Sequence, residues 1–564
     1  MNALDYAVLL VTILGIALYG MWRTRGRHNL DSYLRGSGDS RWFVVGLSVM
    51  ATQASAVTFL STPGQGFASG LGFVQIYFGM PIALIIIAAV FLPIYRRLNV
   101  ITAYEYLGQR FDTKARLLGA AIFLLQRGLG AGITIYAPAI VLSTVFGWRL
   151  DATIICSGAV VIAYTVSGGS DAVNVTQKYQ IGVIFAGMIA AGAVLLHKLP
   201  AGLGLTDALA LAGGMHKLQA VNFSTDPRER YTLWSGVLGG TFLMLAYFGT
   251  DQSQVQRYIS GASLREGRLG LMFNAVFKIP MQFFILSLGV LLFLFYQFEK
   301  PPVYFNQVEW KHQAERGDAV QMKAIETDFA AAHARERQQL DAWLDARRTG
   351  DVATEAAARA AVSSAQAQVE SVRARAETAI DPTGKRKDTD YVFITFILDY
   401  LPHGIIGLLV ATFFAAALSA KAAELNALGS ATTVDFYRHV INRQASDAHY
   451  LAASKWFTVF WGLVSISFAL SASLAENLIQ AVNIVGSIFY PVMLGLFVVG
   501  FFLRRIGGTA VFWGALATQV LVITLYFCLN ISYLWFNLIG CASCVLFSAM
   551  LQVVLGSNAK TGKT

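Results

Sequence analysis

One arginine stands among glycines in an otherwise apolar stretch: Arg127, with Gly128, Gly130 and Gly132 after it, lies about ten residues into the run 117–146. If that run crosses a membrane, helix rise puts the guanidinium about 15 Å deep, where a charge is costly unless paired or facing a polar cavity. Two chemistries suit it: holding a solute anion, or a structural pair with a carboxylate such as Glu105 or Glu424. Ser55 and Thr58 are three apart, so they share a helix face or line a break together, unless their hydroxyls bond back to the preceding turn. Gln75 and Tyr77 are polar groups in an apolar run, and Tyr247 and Phe248 close another. As walls of one cavity these four would surround a small solute, whereas simple packing would leave the rings in the core or against lipid. Lys421 and Glu424, also three apart in an apolar run, can pair on one face.

Enzyme chemistry finds no support in the chain. There is no HExxH, no phosphate-cradling Walker loop and no nucleophile elbow, and the eight histidines are scattered. Cys156, Cys528, Cys541 and Cys544 all fall in apolar segments and describe no secreted disulfide framework. Cys541 and Cys544 form a CxxC without a second ligand pair, which reads as small residues in a helix.

The elements that position these residues follow from composition. Of 564 residues 55% are hydrophobic and only 13% charged, which excludes an ordinary water-soluble enzyme. The 43 basic and 33 acidic residues are unevenly placed: 14 and 16 of them lie in 299–390, so an apolar body of net +12 carries one polar insert of net −2. The basic excess needs no nucleic acid, because Lys and Arg held at the cytoplasmic side of a polytopic membrane protein give the same sign.

Runs of about 18 or more apolar residues are membrane-span candidates. Thirteen are present, at about 4–21, 42–63, 73–94, 117–146, 151–167, 176–197, 231–250, 271–297, 404–436, 450–472, 477–502, 508–528 and 531–555. The first, Leu4 to Trp22, runs into a basic loop and reads as a retained span rather than a cleaved leader. Loops after odd-numbered spans carry Arg23, Arg25, Arg27, Arg35 and Arg41, then Arg96, Arg97, Arg110, Lys114 and Arg116, then Arg257, Arg265 and Arg268, then Arg438 and Arg443, then Arg504 and Arg505. The positive-inside tendency makes that side cytoplasmic. The expectation is a multi-pass cell-membrane protein with its N-terminus outside, its C-terminus inside and the 299–390 insert outside. The insert, rich in Ala, Gln, Glu and Arg with Thr349, Gly350 and Asp351 between two helix-favouring stretches, reads as a helical hairpin with a solvated charged face. Lys385, Arg386 and Lys387 read as its return linker.

Two spans look interrupted. Ser48 to Gly64 in span 2 is full of hydroxyls and small residues, and Leu238 to Gln252 in span 7 is loosened by glycine. Unwinding there would expose backbone carbonyls to a cation and amides to an anion. Each opens a block of five spans, 2–6 and 7–11, and because five is odd the second block must be inverted. That is the plan of an inverted-repeat secondary transporter. The divisions expected are 1–41, a first span and basic loop; 42–200, the first repeat; 201–298, an outer loop and the first two helices of the second; 299–390, the insert; 391–502, the rest of the second repeat; and 503–564, two further spans and a tail.

Four segments then resemble one family. Gly249-Thr-Asp-Gln-Ser-Gln-Val-Gln-Arg-Tyr-Ile-Ser260 is similar to the signature segment of the sodium:solute symporter family. Ser55-Ala-Val-Thr58 and Ile135-Tyr-Ala-Pro138 resemble its monocarboxylate, iodide and vitamin branch, with sialic-acid carriers also near. Leu425-Asn-Ala-Leu-Gly-Ser-Ala-Thr-Thr-Val-Asp435 resembles the region after the sodium-site helix. The resemblance covers roughly 1–298 and 391–530. It implies an all-α, LeuT-like membrane transporter of about thirteen helices that carries a small organic solute with sodium by alternating access, with solute and ion near the midplane and no organic cofactor or obligate protein partner. A carboxylate-bearing anion is the expected solute, with a neutral sugar or amino acid as the alternative; a membrane sensor is the remote one.

The resemblance also implies an ion site: the carbonyls of Ala51, Ala54 and Ala416 and the hydroxyl of Ser419, to which a water can add a further oxygen. The chain departs from the family in two places. Ala420 stands where a second hydroxyl is usual, and Thr176, Gln177 and Lys178 stand where the family commonly has Asp after Thr. Gln177, Lys178, Lys421 and Glu424 are therefore candidate modifiers of coupling, and an ammonium in place of sodium would make the carrier proton-linked or uncoupled. Helical geometry turns Lys421 about 200° away from Ser419.

Overall fold

A computed structural model describes residues 1–24, 41–98, 100, 102–200, 203–382, 387–471 and 477–556, and over 16–24, 167–179, 205 and 317–318 the backbone path alone. The described residues form helices and their connections, with no strand among them. Among the described residues nine helical stretches are long and apolar enough to cross a membrane, and four shorter apolar helices accompany them.

The chain opens with α1 (Ala3–Thr24). The first interrupted span is the pair α2 (Trp42–Gln53) and α3 (Ala56–Ser69), parted at Ala54 and Ser55, both of which leave helical dihedrals. A 3₁₀ stretch, Gly70–Tyr77, then turns the chain, with Gly70 at φ 70°, a conformation open to glycine at little cost. The next crossing is α4 (Met80–Ile86), a π turn at Ile87–Phe91 and α5 (Leu92–Leu98). It therefore begins near Met80 and not at residue 73, because Gly70 ends α3 and the 3₁₀ stretch occupies the chain as far as Tyr77. After α6 (Ala103–Arg110) come α7 (Thr113–Thr134) and α8 (Tyr136–Phe146), which jog at Ile135, then α9 (Leu150–Lys198). The helix α9 is continuous through Ser167-Gly-Gly169, joining the spans expected separately at 151–167 and 176–197, and holds two apolar stretches, Leu150–Val166 and Gln180–Lys198.

The second half repeats the plan. A short α10 (Leu205–Gly214) precedes a π turn at Ser235–Gly239, α11 (Gly240–Thr250) and α12 (Gln252–Ile259), the last two parted at Asp251. The long α13 (Leu264–Phe298) lies tightly on α3: a Cβ at Gly66 would meet the Leu286 carbonyl oxygen at 2.4 Å, and one at Gly289 the Pro63 carbonyl oxygen at 2.2 Å. These two glycines let the backbones touch.

The insert follows as α14 (Gln307–Gln313), α15 (Ala319–Thr349) and α16 (Val352–Ile380), the last two packed side by side. Gly350 turns between them at φ 77°, and the Asp351 carboxylate caps α16 by accepting from the Ala353 amide at 3.0 Å. Two insert charges serve the body as anchors: Arg337 donates to the Phe298 carbonyl (3.0 Å) and Arg359 to that of Gly214 (2.9 Å). Within the insert Arg373 donates to Asp388 (3.3 Å). Lys387 pairs with Glu377 at 2.7 Å, while Lys385 and Arg386 lie outside the described residues.

The remainder is α17 (Val392–Tyr400), α18 (Ile405–Ala431) running into a π-helical segment Thr432–Ile441, α19 (Asp447–Ser471), α20 (Leu478–Phe502), α21 (Gly508–Cys528) and α22 (Tyr533–Leu555). The helix α18 is the most enclosed element, packed by α1, α9 and α19. The Asp5 carboxylate of α1 accepts from the Gly404 amide (2.6 Å) and meets His403 Nδ1 (2.8 Å), which fixes the start of α18.

Candidate solute and ion site

The two broken helices and α7, α13, α18 and α20 enclose one cavity. Its lining includes Thr52, Gln53, Ser55, Thr58, Tyr77, Arg127, Thr134, Met244, Tyr247, Lys278, Glu424, Asn483 and Tyr490. The break supplies Ser55 and Thr58 directly. In an unbroken helix the Thr58 amide would bond Ala54, but here it reaches Ser55 at 2.9 Å, and the Thr58 hydroxyl crosses the gap to the Gln53 carbonyl at 3.1 Å.

Arg127 is held by four groups. Its guanidinium donates to Glu424 Oε1 (3.2 Å), to the Ser253 hydroxyl (2.9 Å), to Tyr490 OH (3.4 Å) and, closest of all, to Asp251, and it lies over the Tyr247 ring with 5.6 Å to the centroid. The structural pair weighed from the sequence is thus present with Glu424, and Glu105 sits instead beside Arg116 (3.7 Å). Asp251 is the partner that sequence reasoning missed. Its other oxygen accepts from the Ser253 amide (2.8 Å) and hydroxyl (2.7 Å), so one carboxylate caps α12 and neutralises Arg127 together. The visible signal was its place at the helix break, where an aspartate is a preferred cap.

Lys421 donates to Glu424 Oε2 (2.8 Å) and to the Ala131 carbonyl (2.5 Å), and Thr134 donates to the same Glu424 oxygen (3.1 Å). Two cations and two carboxylates therefore balance. The lining residue left over is Lys278 of α13, 1% exposed, with no carboxylate in ion-pair range among the described residues; its ammonium stands 5.3 Å from the Tyr77 ring centroid. Sequence reasoning passed over it. A lysine seven residues into the apolar run 271–297 was the available sign, since intramembrane charges are rare and face cavities or partners.

Two expected lining residues are elsewhere. Gln75 donates to the Gly72 (3.1 Å) and Tyr231 (3.0 Å) carbonyls and accepts from the Asn222 amide (3.0 Å), so it pins an outer loop; the 3₁₀ turn that delays α4 carries it away from the cavity. Phe248, fully buried, follows Tyr247 by about 100° around α11 and points into the core behind it. Tyr77 and Tyr247 do line the cavity.

Ala51 lies in the last turn of α2 and Ala54 at the break that follows it, and Ala416 and Ser419 lie on α18, which packs against α2; all four are buried. The Ser419 hydroxyl has no hydrogen-bond partner among the described residues. The side chains of Gln177 and Lys178 lie outside the described residues.

Above the cavity α3 is tied to the start of α20. Gln65 Oε1 accepts from Asn477 (2.5 Å) and Gln480 (2.7 Å), the Ser61 hydroxyl accepts from the Ile479 amide (3.2 Å), and Asp390 accepts from the Leu478 amide (3.1 Å). Burial pushes the Asp390 carboxyl up to about 6, against the lowering by its hydrogen bonds with the Ser61 hydroxyl and the Leu478 amide.

The sequence pattern of the Sodium:solute symporter family matches residues 33–303 and 374–518. The chain belongs to that family. The family is one of transporters and not of enzymes, and the long apolar helices among the described residues make the chain a multi-pass membrane protein. It is 32% identical over 301 residues to the human sodium/iodide cotransporter, covering 52% of this chain and 46% of that one. With the human sodium-coupled monocarboxylate transporter 1 it shares 35% over 275 residues, 48% and 45% of the two chains. These two matches span less than half of each relative's length. A solved Na⁺-coupled sialic acid symporter, in its substrate-bound outward-open state, aligns over 99% of both chains with a TM-score of 0.74 at 22% identity, a likeness that carries the fold. The LeuT-like plan expected of a member of this family is the one found.

Proposed function

We propose that this family member couples inward movement of sodium to uptake of a small carboxylate-bearing anion by alternating access. The observation that carries the reading is Lys278, the one cavity-lining charge among the described residues left without a counter-charge. A buried cation without a partner is costly, and a carboxylate entering the cavity would remove that cost. A neutral sugar or amino acid in its uncharged part would not. In this reading Lys278 meets the carboxylate, Ser55 and Thr58 donate to it from the break, and Tyr77 and Tyr247 wall the rest. Arg127, with its charge met by Asp251 and Glu424, shapes the cavity and tunes its potential.

The sodium site proposed is the set Ala51, Ala54, Ala416 and Ser419. Carbonyls freed at a helix break, together with a hydroxyl that has no hydrogen-bond partner among the described residues, are oxygen donors of the kind a hard cation takes. Lys421 offers no substitute for sodium, because Glu424 and the Ala131 carbonyl hold its ammonium. The ties from α3 to α20 are the contacts that would part to admit solute from the insert side.

Reconstituted protein should take up a labelled monocarboxylate faster under an inward sodium gradient than under potassium at fixed pH. Lys278→Gln should raise the KM for the anion at least about tenfold, a loss of roughly 1.4 kcal/mol, while raising the melting temperature of solute-free protein. Equal rates with both cations would overturn sodium coupling. Unchanged anion uptake by Lys278→Gln would overturn the charge assignment.

A further inference from the structure

At the far end of α18 from the insert, a second cavity of about 380 Å³ opens among Glu105, Arg116, Val434, Arg438, His439 and Arg443. It lies on the face that the loop charges assign to the cytoplasm. The π-helical segment Thr432–Ile441 that follows α18 brings Asp435, Arg438 and His439 to this spot, and π turns are often found at functional sites.

The cations here divide into two kinds. Arg116 is committed inward: its Nε donates to Asp435 Oδ1 at 2.7 Å, its NH2 to the Val434 carbonyl at 3.3 Å, and Glu105 stands 3.7 Å away. Asp435 also accepts from the Thr102 hydroxyl (3.0 Å). Arg438 and Arg443 are positioned by uncharged groups instead. The Arg438 guanidinium rests over the Tyr450 ring, 5.2 Å from its centroid, and Arg443 Nε donates to the His439 carbonyl at 2.9 Å. Tyr450 is itself fixed, donating to the Asn442 carbonyl (2.7 Å) and accepting from the Ala445 amide (3.2 Å). Neither arginine has a carboxylate in ion-pair range among the described residues.

His439 completes the wall. Its Nδ1 is 3.5 Å from an Arg116 nitrogen and its Nε2 is 3.3 Å from the Thr113 hydroxyl, which suits a neutral ring with the proton on Nε2. Three arginines against two carboxylates leave the pocket with a net positive charge at neutral pH. Two of those arginines are aimed by a ring and a carbonyl, with their outer nitrogens unspent.

We propose that this cavity binds a phosphate group, gripped by Arg438 and Arg443 with Arg116 behind them. Guanidinium forks match phosphate oxygens bidentately. The group can come from an anionic lipid headgroup or from a soluble phosphate. Between the two arginines Val440 and Ile441 are 49% and 71% exposed, an apolar surface on which acyl chains would lie, and basic pockets at the cytoplasmic ends of membrane helices suit such headgroups. The site stands apart from the solute cavity, so its fate does not depend on what is carried.

The test is the thermal stability of purified full-length protein in two arms. In neutral detergent, inorganic phosphate is titrated against chloride at matched ionic strength. In vesicles, phosphatidylcholine alone is compared with phosphatidylcholine containing phosphatidylglycerol. The expected result is a rise in melting temperature in at least one arm, with the Arg438→Gln, Arg443→Gln double variant weakened at least about tenfold in apparent affinity. A rise with inorganic phosphate alone assigns a soluble ligand, and one with phosphatidylglycerol alone assigns a headgroup. No rise in either arm, or the same rise in the double variant, overturns the proposal. Should that variant fail to fold, Arg438→Lys with Arg443→Lys keeps the charge but loses the fork. A weaker rise is then expected, and an unchanged one overturns the site.

Discussion

The two helix breaks occupy equivalent places in the two repeats and are filled in opposite ways. The second, between α11 and α12, falls at Asp251, whose carboxylate caps the new helix and holds Arg127. The first, between α2 and α3, falls at Ala54 and Ser55, whose side chains cap nothing. One break is closed by the protein's own ions. Among the described residues the other leaves carbonyl oxygens and the Ser419 hydroxyl without partners, which is what a mobile cation from solution requires. Breaking a helix is therefore not sufficient to make an ion site; the break must also be left unneutralised.

If that contrast is correct, the largest effect comes from opening the closed break. Asp251→Asn keeps a cap of similar shape but removes the negative charge, leaving Arg127 and Lys421 to share Glu424 in a buried setting. Losing one partner of a buried pair costs about 3–5 kcal/mol, so the variant should melt far lower or fail to remain monodisperse in detergent. Adding Arg127→Gln restores neutrality and should recover much of that loss. A double variant no more stable than the single one would show that the Asp251 charge is not what closes the break.

Much of this layout is legible in the sequence. Composition and run length show an all-helical membrane body, the hydroxyl- and glycine-rich stretches mark both breaks, and the depth of Arg127 demands a partner; the bounds of single spans, such as the third and the fifth and sixth, are less legible. What was not legible is which side chains meet. Asp251 and Arg127 are 124 residues apart, and helical periodicity says nothing about which helix faces which. Lys278 was hidden for a different reason: one charge hardly lowers the mean hydropathy of a long span, so a run-length reading passes over it. Gln75 shows the converse error. A polar residue in an apolar run looks like cavity lining, yet the glycines around it end the helix early and give it a loop to hold.

A middle-sized effect belongs to the open break. Ser419→Ala removes one oxygen from the proposed sodium set and leaves no buried group unpaired, so folding should be preserved. The sodium concentration giving half-maximal uptake should rise on the order of tenfold, the equivalent of about 1.4 kcal/mol. Unaltered sodium dependence would place the ion elsewhere and remove the functional half of the contrast.

The smallest effect tests whether the open break is held open at all. The Thr58 hydroxyl donates across the gap to the Gln53 carbonyl at 3.1 Å, a single neutral hydrogen bond of about 1 kcal/mol. Thr58→Val keeps the branched shape that fits the start of α3 but leaves that carbonyl without its donor. A drop in melting temperature of a few degrees or less is expected, together with a modest gain in apparent sodium affinity, because a further carbonyl oxygen is freed beside those of Ala51 and Ala54. If the affinity falls instead, the hydroxyl itself faces the ion, and the break is neutralised in part by a side chain, as the other one is.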